Sequence, residues 1–251
     1  MPNLPNLPNL PNLTEPHLRL LADVFAVNVP DMPHAPGVPH VPAPLALAGG
    51  YSLQAHGLLQ RPHANVDLAT ESTEPMDRIA GALAEALSAR GREVTVQDTD
   101  PLSARLSVTD PRAGGPASPL ALALHKETFW SPPVLTAYGP ALCLEDAVGT
   151  KIRALYDRGL AVDLIDARAA AARFTHPGLE ELGRRHARDD FDLPTLRARL
   201  EGGDYYPDSA FTAYGLAEVE ITELRGWALA WSTDIAERLL EDGASPDEPE
   251  D

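Results

Sequence analysis

The sequence contains a single cysteine, Cys143, in 251 residues. One thiol cannot form an internal disulfide or a cysteine-based zinc cluster, and low cysteine use is typical of proteins kept in a reducing compartment. We therefore expect a cytoplasmic protein. The sequence also lacks an apolar run of the ~20 residues that a membrane-spanning helix requires. Its start has no basic region followed by an apolar one, so neither a membrane partner nor a secretion signal is expected.

Basic residues are also few: Lys and Arg total 20 against 37 Asp and Glu, and the formal net charge is −17. Proteins that bind nucleic acids through their phosphates usually present a basic surface. One stretch here is locally basic, and it comprises Arg184, Arg185, His186 and Arg188. This pattern is also that of a solvated helix face, so composition by itself does not favour a polynucleotide partner.

Proline, in contrast, is abundant in two segments. Residues 2–13 repeat Pro-Asn-Leu four times, and proline at every third position excludes a helix and removes sheet donors. Residues 1–13 are therefore predicted to be a disordered tail. Residues 29–44, rich in proline and histidine, are predicted to be a linker or insertion, with a histidine metal site as the alternative. Residues 242–251 are acidic and predicted to be a solvated tail.

Two folded parts are predicted between these segments. Residues 14–143 alternate between helical and strand periodicity, which favours an α/β (α+β) domain with a mixed sheet. Helices are predicted at 14–28, 51–59 and 74–90, and strands at 45–50, 65–70, 93–97, 104–109 and 120–125, with a hairpin turn at 111–119. Residues 144–241 show helical patterns broken by proline and glycine, so an all-helical C-terminal domain follows.

A pair of glycines followed by an acid is the most informative chemical pattern. Gly49 and Gly50 end a short apolar strand and open a helix, and such a turn presents backbone N–H groups to an anionic triphosphate. Asp67 lies on the next predicted strand, where a carboxylate can hold a metal ion against those phosphates. Two acids at i and i+2 would share one strand face, but the earlier position is Asn65, which offers an amide oxygen without charge.

Two stretches resemble one family. LALAGGYSLQAHGLLQRPHANVDLATE resembles the start of the AbiEii-type nucleotidyltransferase toxin family, within the DNA polymerase β-like superfamily. LEDAVGTKIRALYDRGLAVDLIDARAA resembles its later pattern of an acid, a lysine, an arginine and a closing Asp-x-x-Asp. The stretches occur in the family's order, and the similarity covers about residues 15–241. The resemblance implies a nucleotidyltransferase fold and magnesium-dependent transfer of a nucleoside monophosphate from an NTP to an acceptor.

The resemblance also implies roles for matching residues near the glycines. Gly49 and Gly50 match the turn that cradles phosphates, and Ser52 would add a hydroxyl. Asp67 matches the second acid of the strand pattern and would bind the metal. Arg61 would steady a phosphate or pair with a nearby acid. The flanking His56 and His63 are interpreted as packing or surface residues.

Further roles follow for the second stretch. Lys151 matches a lysine that would hold the triphosphate as a point charge, and Asp163 would orient the acceptor or act as a base. Asp166 matches the last acid of the family's closing pair. A helix-packing or capping contact is the alternative interpretation of this residue. Arg158, like Arg61, would contact phosphate or an acid.

The chain departs from the family pattern at two acid positions. Asn65 stands where the first acid is expected, and Ala123 stands where a later strand supplies a third. Magnesium prefers charged oxygen ligands, so Asp67 and Asn65 make a poor two-metal site. A one-metal mechanism through Asp67 stays open, with Glu127 as a possible substitute acid.

Three functions are compatible with these patterns. The first is an AbiEii-like transferase acting on RNA, such as tRNA, or on a protein, as the toxin of a toxin–antitoxin or phage-defence system with an antitoxin partner. The second is a catalytically degenerate fold that binds a nucleotide or a partner. The third is an interaction protein that binds no NTP. Magnesium-dependent transfer separates the first from the second, and NTP binding separates both from the third.

Overall fold

The computed structural model describes residues 15–27, 41, 43–61, 63–112 and 118–243. The predicted tail at 1–13, most of the 29–44 segment, the centre of the 111–119 turn and most of the acidic tail lie outside these residues. Contacts divide the chain into unit 1, Met1–Ala147, and unit 2, Val148–Asp251. Within the described part, no helix is both long enough and apolar enough to cross a membrane.

Unit 1 is built on a mixed sheet, which confirms the predicted α/β class. Its strand order is β3-β4-β5-β2-β1-β7-β6, with parallel pairing of β2 with β5 and of β1 with β7 and antiparallel pairing elsewhere. The strands are β1 Ala46–Leu47, β2 Asn65–Thr70, β3 Glu93–Thr99, β4 Ser103–Thr109, β5 Leu120–Lys126, β6 Val134–Thr136 and β7 Gly139–Ala141. The helices are α1 Glu15–Val27, α2 Gly49–Ala55 and α3 Met76–Ala89.

The alternating pattern of β2 sets which side of the sheet carries the core. Val66 and Leu68 are fully buried, whereas Asn65 is exposed and Asp67 is half-buried. The buried face joins a core that includes Leu122 of β5 and the apolar faces of α1 and α3. Each fully buried leucine stabilises the fold by roughly 1.5–3 kcal/mol. The core therefore holds β2 in place while Asn65 and Asp67 stay on the opposite, polar face.

Two features of unit 1 differ from the sequence expectation. β6 and β7 were not predicted, because three-residue strands are too short to show alternation and Pro140 lies within β7. The second helix begins at Gly49 instead of residue 51 and ends at Ala55 instead of residue 59. Gly57, with φ +73°, takes the left-handed conformation shortly after this end, which favours glycine and stops the helix.

Unit 2 is helical in its described residues. Its helices are α4 Leu144–Arg158, within which the unit boundary falls, α5 Ala161–Ala170, α6 His176–His186, α7 Leu193–Glu201, α8 Ser209–Thr212 and α9 Glu218–Gly243, with a 3₁₀ turn at Gly202–Tyr205. Local sequence explains two of the starts. Thr175 accepts a hydrogen bond from Gly178 N, and Asp192 accepts one from Thr195 N, each just before a proline in the first turn.

A buried carboxylate joins α6 to α9 inside unit 2. Glu180 accepts hydrogen bonds from Trp231 Nε1 at 2.9 Å and from Arg238 Nη1 and Nη2 at 2.9 and 2.6 Å. Trp231 is fully buried, and the His176 ring stacks on it with centroids 5.0 Å apart. Hydrogen bonds to a charged group are about twice as strong as neutral ones, so this cluster fixes the two helices together.

Two arginines of the basic stretch at the end of α6 share one carboxylate. Arg184 and Arg185 both donate to Glu181, at 3.0 and 3.1 Å, and these hydrogen bonds lower the pKa of the Glu181 carboxyl. His186 is buried. The two arginines are about half exposed and share a single carboxylate, so this end of α6 is a solvated helix face that keeps a net positive charge.

Candidate functional site

The predicted glycine turn lies against Asp67. Ala48 N donates to the backbone oxygen of Asp67 at 2.8 Å, in continuation of the antiparallel pairing of β1 with β2. Gly49 follows with φ +62°, a left-handed conformation that favours glycine. A Cβ at Gly49 would overlap the Asp67 carboxylate. Glycine is thus required at position 49 by both conformation and space, and its absence of a side chain lets the carboxylate lie on the turn.

Two further side chains lie on the second glycine. A Cβ at Gly50 would overlap the imidazole of His63 and would stand 3.2 Å from Arg61 Nη2. The guanidinium side chain of Arg61 is only 6% exposed, and the His63 ring packs on Tyr51 with centroids 4.3 Å apart. An acid therefore flanks Gly49, and a buried cation and an imidazole flank Gly50.

The polar face of the sheet continues from Asp67 onto β5. In the parallel register Asn65 pairs with Ala121, Asp67 with Ala123 and Ala69 with His125. Paired residues point to the same face, so Ala123 lies directly beside Asp67. His125 Nε2 is 4.0 Å from Asp67 Oδ1. The position expected to supply a third acid is thus adjacent to Asp67 and carries only a methyl group.

This arrangement limits which metal the site can hold. Across the described ranges, no three His, Cys, Asp or Glu side chains converge on a point where a metal ion could bind. Asp67 supplies charged oxygens, Asn65 supplies an amide oxygen and Ala123 supplies nothing. Glu127 follows the end of β5, where its backbone N donates to Thr70 O at 3.0 Å. One carboxylate and one amide do not fit a two-ion pair, and the binding of a single magnesium ion through Asp67 stays a prediction.

Ser52 and Tyr51 lie in the core beneath the turn. Ser52 is fully buried, and its hydroxyl has no hydrogen-bond partner within the described part of the chain. The Tyr51 hydroxyl is 2.7 Å from His17 Nδ1, and burial raises the pKa of Tyr51 to about 12. Tyr51 therefore stays protonated at neutral pH, and its buried side chain packs in the core next to the glycine turn. Whether Ser52 contacts a phosphate stays a prediction.

The predicted lysine belongs to unit 2, where it forms a buried ion pair. Lys151 Nζ is 2.9 Å from Asp166 Oδ2, and the Asp166 carboxylate is completely buried. A buried carboxylate needs a partner, and this ion pair is compatible with the packing interpretation of Asp166. Its part in the closing pair of the family pattern stays a prediction. The assignment of Lys151 to the triphosphate stays a prediction.

Asp163 is the other acid of the closing pair. It is fully buried and accepts hydrogen bonds from Arg158 Nε at 2.8 Å, from Arg158 Nη2 at 2.7 Å and from Leu160 N at 3.1 Å. These contacts cap the start of α5 and connect it to the end of α4. Arg158 therefore pairs with an acid, one of the two roles expected for it, and a catalytic role for Asp163 stays a prediction.

Sequence reasoning gave no functional role to His63 or His125. His63 precedes β2 by two residues, and its position over Gly50 depends on packing against Tyr51, which no local pattern reveals. His125 does carry a signal, because it alternates with Ala121 and Ala123 on β5 and so faces the side of Asp67.

Comparison with solved structures identifies the fold. A protein from H. pylori described as a proposed nucleotidyltransferase shares 18% identity at a TM-score of 0.52, over 91% of this chain and 98% of that one. MenT4, a nucleotidyltransferase toxin from Mycobacterium tuberculosis H37Rv, shares 18% identity at a TM-score of 0.54, over 86% and 83%. No family model matches the chain, and no curated protein matches its sequence. The chain thus has the nucleotidyltransferase fold, and assignment to the AbiEii-type family stays a prediction.

Proposed function

We propose that this chain is a nucleotidyltransferase that binds an NTP at its glycine turn and transfers the nucleoside monophosphate to an RNA or protein hydroxyl. The observation that carries the proposal is the packing of the Asp67 carboxylate on Gly49 within a nucleotidyltransferase fold. A glycine turn that carries a carboxylate able to bind a metal ion suits the binding of a triphosphate.

The residues of the turn would act mainly by positioning. The absence of side chains at Gly49 and Gly50 lets Asp67 and His63 lie on the turn, where they can meet a phosphate. Asp67 would hold one magnesium ion together with the amide oxygen of Asn65. That ion, when bound, supplies positive charge against the phosphates. The acceptor oxygen bonds to the α-phosphorus as the bond to the leaving pyrophosphate breaks, so no covalent enzyme intermediate is needed.

The proposal extends to the biological role of the chain, its partner and its acceptor. MenT4 is a toxin, and the two motif stretches resemble AbiEii-type toxins, so we propose a toxin whose partner is an antitoxin protein. The acceptor would be an RNA such as tRNA, or a protein. The whole chain is acidic, with a formal net charge of −17, which makes a protein acceptor as reasonable as a tRNA.

Calorimetric titration of each NTP, with and without magnesium, tests the binding step. We expect magnesium-dependent binding in the wild-type chain that is lost in Asp67→Ala. Arg78→Gln is the matched control, because Arg78 is an exposed residue of α3 paired with Glu74. Absence of binding by any NTP would overturn the proposal and leave the interaction-protein alternative.

Label transfer tests the chemical step. Each NTP labelled at the α-phosphate would be incubated with the chain and either total RNA or a mixture of proteins. Label on an acceptor, with release of pyrophosphate, supports the transferase. Lys151→Ala is a poor control in this assay, because it would also remove the ammonium group that pairs with the buried carboxylate of Asp166.

A second function is favoured by one observation, the methyl group of Ala123 beside Asp67. A site with a single carboxylate can bind a nucleotide while failing to organise the transition state. The chain would then be a nucleotide-binding module. Tight NTP binding with no transfer to any acceptor distinguishes this function from the transferase.

A further inference from the structure

Gly50 is a glycine for reasons of space. Its φ does not lie in the left-handed region, unlike that of Gly49, so its backbone conformation would accept a side chain. The space is filled by the imidazole of His63 and by Arg61 Nη2, which a Cβ at Gly50 would overlap or approach within 3.2 Å. The two side chains therefore lie directly on the turn.

Arg61 brings a fixed positive charge to that turn. Arginine stays protonated at all ordinary pH values, and its planar guanidinium can donate several hydrogen bonds to one phosphate. The residue is 94% buried, as its 6% exposure shows, so its orientation is set by the surrounding protein. His63 adds a ring nitrogen next to it and is held by its contact with Tyr51.

The strands carry too few carboxylates to bind two metal ions, so the positive charge of Arg61 and the ring nitrogens of His63 gain a role. With Asp67 as the single acid among positions 65, 67 and 123, the strands can hold one magnesium ion at most. A triphosphate with one magnesium ion still carries negative charge. Donors that the protein holds in fixed positions can stabilise that charge.

We propose that Arg61 and His63 form a phosphate subsite over Gly50, which binds the polyphosphate of the nucleotide and supplies the positive charge that a second metal ion would otherwise bring. This inference rests on the proposed function and deepens it, since it assigns a ligand contact to His63 and a reason for the missing acids. Asp67 and the pair Arg61–His63 then contact different parts of the same polyphosphate chain.

Binding of NTP and of inorganic tripolyphosphate to Arg61→Gln, Arg61→Lys and His63→Gln tests the subsite. We expect Arg61→Gln to weaken both ligands about tenfold or more, because a hydrogen-bonded charge is lost. Arg61→Lys should recover part of the loss, since lysine keeps the charge without the planar fork. His63→Gln should weaken both ligands less than Arg61→Gln, and Arg78→Gln should leave both affinities unchanged.

The outcomes separate the subsite from the proposed function. If wild-type chain binds NTP but none of the three variants changes its affinity, the subsite is wrong and the proposed function survives. If tripolyphosphate binds in an Arg61-dependent way while no NTP does, the subsite is correct and the proposed function fails. If neither ligand binds, both are overturned. If a thermal unfolding scan shows that Arg61→Gln does not fold, the His63→Gln variant decides the question, because His63 is only half-buried. Unchanged affinity of this variant for NTP and tripolyphosphate overturns the subsite.

Discussion

Ala123 lies beside Asp67 across the parallel register of β5 and β2, so the methyl group of one is on the same face of the sheet as the carboxylate of the other. The neighbouring strand thus has the geometry to bring a second acid to Asp67, and the residue at that point has no oxygen. Asn65, on the same face two residues before Asp67, lacks a charge as well. This face therefore carries a single carboxylate because of the residues at positions 65 and 123, and not because of the fold.

Restoring the acids should strengthen metal binding. We expect Asn65→Asp combined with Ala123→Asp to bind Mn²⁺ about tenfold tighter than the wild-type chain or more, because each added carboxylate contributes a charged ligand. Titration calorimetry with Mn²⁺ measures this. Ser88→Asp, on the exposed side of α3, adds a charge away from the sheet and should have no effect. Equal affinity in the double variant and the wild-type chain would show that the strand face does not bind metal.

Filling the space at Gly50 should destabilise unit 1. We expect Gly50→Ala to lower the free energy of unfolding by about 1–3 kcal/mol, because its Cβ would overlap the His63 imidazole. His63→Ala in the same background makes room for the methyl group, so the double variant should be less destabilised than the sum of the two single variants. Urea unfolding of the four proteins measures the coupling. Strict additivity would show that the two residues do not compete for space.

Breaking the Lys151–Asp166 ion pair should destabilise unit 2. We expect Lys151→Met to lower the free energy of unfolding by about 3 kcal/mol, because it removes the ammonium group that pairs with the fully buried Asp166 carboxylate. Lys151→Met combined with Asp166→Leu removes both charges and should recover most of the loss. Chemical denaturation followed by circular dichroism provides the measurement. A neutral effect of Lys151→Met would mean that the ammonium group is free for another role.

Acidification should destabilise unit 1 through His17. Burial lowers the pKa of His17 from its ordinary value of 6.5, so the unfolded chain binds a proton at a higher pH than the folded chain does. The stability that depends on neutral His17 is therefore complete above pH 6.5 and is lost as the pH falls from there towards the folded-state pKa. We expect the melting temperature to fall between about pH 7 and pH 5.

The matched variant for this effect removes both partners of one hydrogen bond. His17→Phe with Tyr51→Phe eliminates the titrating ring and leaves no unpaired hydroxyl, so the pH dependence should become shallower. His176, whose pKa burial also lowers, should supply the slope that remains. An identical pH profile in the variant and the wild-type chain would show that His17 does not titrate on unfolding.

Elements that depend on local residue spacing were predicted well from the sequence. Alternation in Asn65–Thr70 gave β2 with its observed bounds, and helical spacing gave α4 at Leu144–Arg158. The parallel register that sets Ala123 beside Asp67 is different, because β2 and β5 are separated along the chain by a helix and two strands. In the sequence, only the resemblance to a family indicated that position 123 matters. The structure explains why, because strand pairing places Ala123 next to Asp67.

Side-chain partners were harder to predict than strands. Arg158 and Asp163 are five residues apart across a break at Gly159, whose φ is +59°, so no helical i,i+4 rule connects them. Similarly, the contact of His63 with Gly50 spans thirteen positions and depends on the ring of Tyr51. Contacts of this kind arise from tertiary packing, which periodicity does not encode.

Glu180 sets a practical limit on where the chain can be shortened. Its buried carboxylate is held by Trp231 and by Arg238, which lie two helical turns apart on α9. A recombinant fragment that stopped before Arg238 would keep the indole donor and discard the balancing charge, which leaves an anion in an apolar interior. Fragments of unit 2 for crystallisation or for partner screening should therefore extend to Gly243, even though the last turns of α9 lie far along the chain from every residue assigned to nucleotide chemistry.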